Sequence, residues 1–583
     1  MNLFHSATVV VSAVTKSPPP PPPNLIRGGR LRKTSKGLIS FAPFLAGASA
    51  LALGALLSTT SPVEAGSCST ANQPAGTARC ANPVNSTDQT VMLTAPANGS
   101  FTVTDAPNFG LDLQTANTKG IVIDTVTTTT DVSVDFDHGN VKATGNAIEI
   151  DQDGTGATTF EMDGTITSTG GKGFTANVAN TATGAVQITT GGAVTAELEG
   201  IELVANGTGP VTVTANGNIT SSAQDGIEVL TGGTSTGDTK VYANGNITAG
   251  IYGIHVTTQR GAMVVETAAG TNVRSTSTST SNGYAINANN AFSVAAQNGR
   301  GQDITVTTHG DLGTSSSRTR GGIWAVQRGF GDMRITVNGD VFSTADSNGI
   351  RAGLALIGFV DITTNGNIYG GTDAGRFGIR LWATTSGNSV TANDVLRVTT
   401  TGKVEGHTAI SVSGAHGHHD STISIGGDVT GTGGTALHLH GVADHDVTVQ
   451  SGATVTGRIT NARRDSATNL PDSSAGFDGG LVGLDINGTV TVTSGDAIEL
   501  GGAGAHTITV GTGGNVGGTI DLSAATGAMD ININGGTVAV ASGDAIQLGG
   551  AGAHTITVGT GGTVTGTIDA SAVTGGTTLD ISG

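Results

Sequence analysis

The residues best suited to chemistry form one histidine-rich stretch. Seven of the 13 histidines lie between positions 407 and 445, and Asp420, Asp444 and Asp446 lie among or beside them. Imidazole and carboxylate groups together are ligands for zinc-like ions. Because alternate residues of a strand share a face, a metal site is one hypothesis for five of these histidines: His416, His418, His419, His438 and His440. The alternative, which the sequence favours, is a polar exposed strand face or loop.

Other signatures of chemistry are weak. The segment Asp151-Gln-Asp153-Gly imitates the start of a calcium-binding loop, but its twelfth position is Met162 where a glutamate is required. A turn between structural repeats explains it better. Neither a His-Glu-x-x-His motif nor a phosphate-binding loop appears. Aromatic residues make up only 3% of the chain and the acids look scattered. We therefore expect no acid-and-aromatic cluster of the kind that processes polysaccharides, no catalytic residue and no cofactor.

Composition and charge narrow the fold and the partners. The 583 residues include 93 glycines, and only 12% are charged. Regularly placed Val, Ile and Thr argue against a disordered linker and suit a thin core of small side chains. The net charge is −18, and residues 66–583 alone carry 20 basic and 43 acidic residues. Because an acidic surface repels phosphate backbones, we exclude nucleic acid as a partner.

Two short motifs alternate after residue 110. The first is an alternating strand, a glycine turn and another apolar residue, as in Val211-Thr-Val213 followed by Asn216-Gly217 and Ile219. The second is a small residue, an Ile or Leu, any residue and another apolar residue. Six copies of it are Gly200-Ile-Glu-Leu203, Gly226-Ile-Glu-Val229, Gly253-Ile-His-Val256, Gly378-Ile-Arg-Leu381, Ala409-Ile-Ser-Val412 and Ala436-Leu-His-Leu439.

The spacing of these motifs predicts a solenoid. Period-two alternation places one strand face inward and one outward, and we expect the turn glycines to supply the positive φ of sharp corners. Five turn glycines are separated by 25, 28, 25 and 28 residues: Gly139, Gly164, Gly192, Gly217 and Gly245. A strand–corner–strand unit near that length is one coil of a β-helix. We predict an all-β, right-handed parallel β-helix of about 18 coils.

The last hundred residues strengthen this prediction. The segment Gly501–Gly514 recurs unchanged as Gly549–Gly562, a shift of 48 residues that fits two coils. Hairpin arrays are the competing interpretation, because Asn-Gly is also the best two-residue hairpin turn. The short strands and the scarcity of proline after Pro107 favour continuous stacking instead.

The amino-terminal region indicates export. A basic stretch, Arg27 to Lys36, precedes an apolar run from Leu38 to Leu57, and Val63-Glu64-Ala65 before Gly66 is typical of a signal-peptide cleavage site. Cleavage is thus expected between Ala65 and Gly66. The chain has only two cysteines, Cys68 and Cys80, and an exported chain meets an oxidising compartment, so we predict a disulfide between them. The predicted organisation is an extended region with a signal peptide (1–65), a stapled cap (66–110) and coils (111–583), with near-identical repeats over 485–583.

Signal peptide, acidic Gly/Thr/Asn-rich coils, Asn-Gly-x-Ile/Val turns and Gly-Ile-x-Leu strands together resemble the passenger regions of autotransporters, the type V secreted proteins of Gram-negative bacteria. The resemblance covers about residues 110–583. It implies a cell-surface, outer-membrane or extracellular location and a scaffold or adhesin-like role without catalysis. Its expected partners are an outer-membrane translocator barrel and a host or neighbouring cell surface.

One departure from the family pattern leaves alternatives open. No membrane-barrel pattern occurs before Gly583, so we expect either a truncated passenger or a separate translocator. Two alternative functions accompany the leading one. The first is a β-helical polysaccharide lyase or hydrolase, and the second is a passenger exported by a separate outer-membrane transporter.

Overall fold

The structure is a computed structural model. It describes residues 67–69, 73, 75–81, 90–95, 99–107, 109–125, 129–179, 181–232, 235–279, 283–291, 302–355, 358–383, 395–414, 420–463 and 476–582. The predicted cleavage residues Ala65 and Gly66 lie outside this described part of the chain. Among the described residues, no helical segment has the length and apolarity needed to cross a bilayer.

Forty-eight strands occupy the described part of the chain. In order they are β1 Ser67–Ser69, β2 Thr77–Ala81, β3 Val91–Ala95, β4 Ser100–Asp105, β5 Gly110–Asp112, β6 Ile121–Thr125, β7 Asp131–Phe136, β8 Asn140–Ala143, β9 Ile148–Gln152, β10 Thr158–Met162, β11 Ile166–Ser168, β12 Phe174–Val178, β13 Val186–Thr190, β14 Val194–Ala196, β15 Ile201–Ala205, β16 Val211–Ala215, β17 Ile219–Ser221, β18 Ile227–Thr231, β19 Thr239–Ala243, β20 Ile247–Ala249, β21 Ile254–Thr258, β22 Met263–Thr267, β23 Asn272–Ser275, β24 Tyr284–Asn290, β25 Ile304–Thr308, β26 Asp311–Leu312, β27 Gly321–Gln327, β28 Met333–Val337, β29 Val341–Phe342, β30 Ile350–Leu354, β31 Val360–Thr364, β32 Ile368–Tyr369, β33 Phe377–Ala383, β34 Val395–Thr400, β35 Val404–Gly414, β36 Asp420–Ile425, β37 Val429–Gly441, β38 His445–Val449, β39 Thr454–Thr460, β40 Val482–Ile486, β41 Thr489–Glu499, β42 His506–Val510, β43 Asn515–Leu522, β44 Met529–Ile533, β45 Thr537–Gly550, β46 His554–Val558, β47 Thr563–Val573 and β48 Thr577–Ile581.

These strands stack into a parallel β-solenoid, which confirms the predicted fold class. A 20-stranded sheet takes β1, β2, β4, every third strand to β34, and every second strand from β36 to β48. The remaining strands form a 28-stranded sheet. From β2 onward each coil contributes one strand to the first sheet, and successive strands pair parallel in register, as in Val186 with Val211 and Val211 with Thr239.

The amino-terminal end of the solenoid is stapled. Strands β1 and β2 pair antiparallel with Cys68 opposite Cys80, and a disulfide joins the two residues as predicted. Parallel stacking starts immediately afterwards, because β2 pairs with β4 and β3 with β6. The stapled pair and the first coil are therefore continuous.

The core is a thin column of inward-facing side chains. In strands such as β16 and β18, alternate residues are buried, as the period-two pattern requires. Near the amino-terminal end, phenylalanines from successive coils stack, with ring centroids 5.7 Å apart for Phe109 and Phe136, 6.4 Å for Phe136 and Phe160, and 4.5 Å for Phe160 and Phe174. Burial of small apolar and aromatic groups along the whole stack supplies most of its stability.

The turn glycines act differently from the expectation. None of the five turn glycines Gly139, Gly164, Gly192, Gly217 and Gly245 adopts a positive φ, so that prediction is wrong for them. A Cβ on Gly217 would instead lie 1.9 Å from the carbonyl oxygen of Gly192 in the preceding coil. The constraint is close approach between coils, because a side chain at this corner would push two backbones apart.

The small residue that begins the second motif is required for a similar reason, close contact with the neighbouring coil. A Cβ on Gly226 would lie 2.4 Å from Cγ2 of Ile247 and 2.6 Å from the carbonyl oxygen of Gly253. The position therefore faces the next coil rather than solvent. The near-identical carboxyl-terminal repeats also lie as predicted, since His506 and His554 both pair with Met529 and are therefore two coils apart.

Candidate functional site: an outer column of charged and aromatic side chains

Parallel stacking places the variable residue of each Gly-Ile-x-Leu motif in one column on the side of the second sheet away from the core. Several members of this column are nevertheless covered, since Glu149, Thr175, Glu202, Asn287, Ser411 and His438 are at most 9% exposed. Each member pairs directly with the next across strands of the second sheet. We call this set the outer column; its members from β9 to β37 are Glu149, Thr175, Glu202, Glu228, His255, Asn287, Trp324, Arg351, Arg380, Ser411 and His438. Its character changes along the solenoid, from acidic to aromatic and basic.

The acidic end gathers carboxylates around two cations. We call it the carboxylate–histidine cluster and define it as Lys172, Glu199, Glu202, Asp225, Glu228 and His255. Lys172 pairs with Glu202 and lies 3.6 Å from Glu199. Glu202 and Glu228 are direct neighbours in the parallel register. Like charges opposite each other are destabilising in a sheet, so this pair needs compensation from nearby cations.

His255 is the second cation that offsets the negative charge of Glu228, as Lys172 does for Glu202. Its Nδ1 lies 3.0 Å from Asp225 Oδ2 and 3.2 Å from Glu228 Oε1. Burial alone would lower the pKa of His255, but the hydrogen-bonded carboxylates of Asp225 and Glu228 outweigh burial and raise this pKa to about 9. The imidazole is consequently protonated at neutral pH. Burial also raises the pKa of Glu199 above its usual value.

The other end of the column is aromatic and basic. The guanidinium carbon of Arg351 lies 5.1 Å from the ring centroid of Trp324 and 5.0 Å from that of Trp382. That of Arg380 lies 5.1 Å from Phe377 and 5.8 Å from Trp382. We call this group the aromatic–arginine platform; Trp324, Arg351, Arg380 and Trp382 are partly open to solvent, and the buried Tyr284 and Phe377 pack against them.

Local sequence makes room for the platform. Gly353 pairs directly with Trp382, and a Cβ on that glycine would lie 2.1 Å from the indole ring. The absence of a side chain lets the indole lie flat across the neighbouring coil. The buried Tyr284 supports Trp324 from one side, with its ring 5.4 Å from that of the indole. Trp324, Arg351, Arg380 and Trp382 are all half-buried and thus keep part of their surface open to solvent.

Arg351 has unused binding capacity. Among the described residues no carboxylate lies within ion-pair distance of it, and its Nε is buried without a hydrogen-bond partner. Arg380 pairs with it directly in the register. Two guanidinium groups on neighbouring coils form a basic spot on an otherwise acidic chain. The nearby Trp324 Nε1 is also buried without a hydrogen-bond partner.

Of the five histidines of the expected metal site, the structure describes two, His438 and His440, which lie side by side on β37 with ring centroids 5.6 Å apart but have different polar partners. His416, His418 and His419 lie outside the described residues. His438 is fully buried, with Nε2 2.8 Å from the carbonyl oxygen of Ala462, and Nδ1 of His440 lies 2.6 Å from Asp478 Oδ2. The preferred expectation of an exposed polar face is wrong for His438, because residues that follow β39 cover it.

The segment that imitates a calcium-binding loop, Asp151 to Asp153, forms the end of a strand and the start of a turn. Asp151 belongs to β9, where Asn177 of the next coil donates a hydrogen bond of 2.8 Å to it, and Asp153 begins the turn that follows. An open cavity of about 310 Å³ beside them is lined by Asp124, Asp151, Asp153 and Asn177 among others.

The acids that look scattered in the sequence come together in part, because carboxylate oxygens of Glu199, Glu202 and Glu228 lie within 4.8 Å of one another. The signal for this was present in the variable positions of the second motif, where Glu202, Glu228, His255 and Arg380 stand. Aligning those positions as a column would have revealed the acidic and basic ends. Comparison of the chain with family models, curated proteins and solved structures yields no match.

Proposed function

We propose that this chain is an exported, adhesin-like surface protein of the autotransporter-passenger type, and that its aromatic–arginine platform binds anionic polysaccharide without processing it. The observation that carries the proposal is the Trp324–Arg351–Trp382 stack, in which a guanidinium group that has no carboxylate partner among the described residues lies between two half-buried indoles.

The chemistry of the platform suits acidic sugars. Aromatic rings offer a flat apolar surface to the C–H faces of a pyranose, and the indole N–H provides a polar handle. Guanidinium groups bind carboxylate or sulfate by paired, charge-assisted hydrogen bonds. Arg351 and Arg380 lie in direct register on neighbouring coils, about 4.8 Å apart in a parallel sheet. They can therefore contact one acidic sugar unit or two consecutive ones.

Charge distribution supports selectivity for anions at this one place. The chain is acidic overall, with a net charge of −18, so a long anionic polymer is repelled from most of its surface. At the platform, the positive charges of Arg351 and Arg380 attract an anionic group instead of repelling it. A neutral glycan would leave the Arg351 guanidinium group without an ionic partner.

The exported, surface-displayed role is supported by other features. The signal-peptide pattern, the Cys68–Cys80 disulfide and the Thr-rich parallel solenoid suit a secreted rod. An adhesin of this shape presents its binding groups on a flank, where a column of in-register side chains can follow a linear ligand. The proposal includes two partners: an outer-membrane translocator barrel that exports the chain, and a host or neighbouring cell surface that the chain binds.

A binding panel tests the proposal. Purified chain is applied to immobilised uronate-containing, sulfated and neutral polysaccharides, and we expect retention on acidic members only. Arg351→Ala should weaken binding at least about tenfold, because one charge-assisted pair is lost, whereas Arg351→Lys should restore part of it. Arg397→Ala is the matched control, since Arg397 lies in the first sheet and pairs with Asp361 at 3.8 Å. Equal losses in both alanine variants would contradict the proposal.

A second candidate function, processing of polysaccharide, is favoured by one observation. Carboxylate oxygens of Glu199, Glu202 and Glu228 all lie within 4.8 Å of one another, and close carboxylate pairs perform glycoside hydrolysis. Incubation of the chain with each retained polysaccharide, followed by assay of new reducing ends and unsaturated uronates, decides between the two. Product formation that Glu228→Gln abolishes would favour the enzyme.

A further inference from the structure

Asp225, Glu228 and His255 form a group of potential metal ligands that neither the glycan platform nor the solenoid core uses. Asp225 directly precedes the small residue that opens β18, and Glu228 and His255 are paired neighbours on β18 and β21. The three side chains come from two consecutive coils. One carboxylate oxygen from each acid and one ring nitrogen all lie within 4.8 Å of one another.

We propose that Asp225, Glu228 and His255 bind a divalent transition-metal cation, with Zn²⁺ as its representative. A tetrahedral zinc ion lies about 2.0–2.2 Å from nitrogen and carboxylate oxygen ligands, which places neighbouring ligand atoms about 3.3–3.6 Å apart. His255 Nδ1 is 3.0 Å from Asp225 Oδ2 and 3.2 Å from Glu228 Oε1. Both separations lie within about 0.3 Å of the lower end of that range, so the three side chains need only a small outward shift to hold an ion.

The surroundings orient these ligands. The second ring nitrogen of His255 lies 3.3 Å from Thr257 Oγ1, and the second oxygen of Asp225 accepts a hydrogen bond of 2.9 Å from the Tyr252 backbone N–H. Metal-bound histidines and carboxylates are usually held by such outer contacts through the atom that does not bind the metal. Nδ1 of His255 and Oδ2 of Asp225 consequently point at the same place.

Charge and access also suit a cation. Glu199 and Glu202 lie next to Glu228, and Lys172 pairs with those two glutamates. Asp225 and Glu228 therefore have His255 as their hydrogen-bonding neighbour, and a metal ion that binds Nδ1 displaces the proton that this nitrogen shares with the two carboxylates. The side chains of Asp225, Glu228 and His255 are 8%, 15% and 18% exposed, so an ion can enter while most competing water is excluded. A mixed nitrogen and oxygen set selects a zinc-like ion over calcium or magnesium, which prefer oxygen alone.

Calorimetric titration of the chelator-treated full chain with Zn²⁺ tests the site. We expect saturable binding of Zn²⁺, weakened at least about tenfold by His255→Asn and by the isosteric Glu228→Gln. The matched control is His309→Asn, since His309 faces a single carboxylate, Glu266, at 3.6 Å on the surface. It should bind like the wild type. Circular dichroism of each variant verifies that the solenoid is intact.

Two further measurements distinguish metal binding at this site from metal binding at the histidine-rich stretch. Co²⁺ in place of Zn²⁺ should give a visible d–d absorption band that His255→Asn removes. A triple substitution of His416, His418 and His419 by alanine should leave the band and the affinity unchanged. Absence of Zn²⁺ binding by the wild type, unchanged binding in His255→Asn and Glu228→Gln, or loss of binding in the triple variant would each overturn the proposal. None of these results depends on glycan binding.

Discussion

Acidification should loosen the solenoid around His445. This residue opens β38 in the first sheet and points into the core, where it is 1% exposed. Its Nδ1 lies 2.7 Å from Ser421 Oγ in the preceding coil, and its Nε2 has no hydrogen-bond partner. Burial lowers the pKa of His445 to about 4, although Asp444 and Asp478 oppose this shift. The imidazole is therefore neutral in the folded chain at neutral pH.

The sign and size of the effect follow from linkage. The folded-state pKa of about 4 lies below the unfolded value of about 6.5, so the unfolded chain takes up a proton first as the pH falls. Stability is complete above about pH 6.5 and is lost between that pH and the folded pKa. For one group with these two values, the loss between pH 7.5 and pH 5 is about 2 kcal/mol.

Hydrogen exchange of β36 and β38 amides at both pH values measures this loss, because local opening of a repeat array is read coil by coil. His445→Met removes the titrating group and uses a residue that already occupies the same inward position at Met529. The wild type should lose about 2 kcal/mol more protection than the variant on acidification. Equal losses in the two chains would refute the assigned burial and neutrality of His445.

Three further predictions concern stability. Cys68→Ser should lower the free energy of opening β1 and β2 by about 3 kcal/mol, because the bond closes a short loop; protease cleavage near residue 75 measures it, and an unchanged rate would argue against the staple. Phe160→Ala should lower the free energy of unfolding, measured in urea, by about 3–5 kcal/mol, because it removes a central ring of the phenylalanine stack. A decrease of less than about 1 kcal/mol would contradict the packing assigned to this ring. Gly226→Ala should cost about 1–3 kcal/mol through its contact with Ile247, whereas Gly479→Ala, with open space around it, should cost little; equal unfolding midpoints would contradict the assigned packing.

The fold was predictable because its determinants are local and repeated. Alternation within strands such as β16 defines the inward face, and a coil length of 25 to 28 residues defines the stack. The hydrophobic pattern also sets the register, since a one-residue slip would turn core residues outward. The turn glycines were misjudged because a rule for isolated turns was applied to them. At Gly217 the limiting contact is with another coil, and no local rule contains that contact.

The candidate site was less predictable because it depends on register between coils of unequal length. His255, Asn287 and Trp324 are neighbours in the outer column, yet 32 and 37 residues separate them in the chain. Insertions at the corners hide this relation from a search at fixed spacing. Similarly, His438 looked exposed because the residue that covers it, Ala462, follows in the next coil. The alternation of residues within a strand predicts on which face of the sheet a side chain lies, but it does not predict which residues of other coils cover that side chain.

Intrinsic tryptophan fluorescence tests the proposed binding role most directly, because the only two tryptophans of the chain, Trp324 and Trp382, both lie on the platform beside Arg351. Titration with a soluble polyuronate should change the emission saturably, added salt should weaken the effect, and neutral dextran should give none. The Arg351→Ala variant should need at least about tenfold more polyuronate for the same change. An emission that stays constant with the polyuronate, or that responds equally to dextran, would contradict the proposed function.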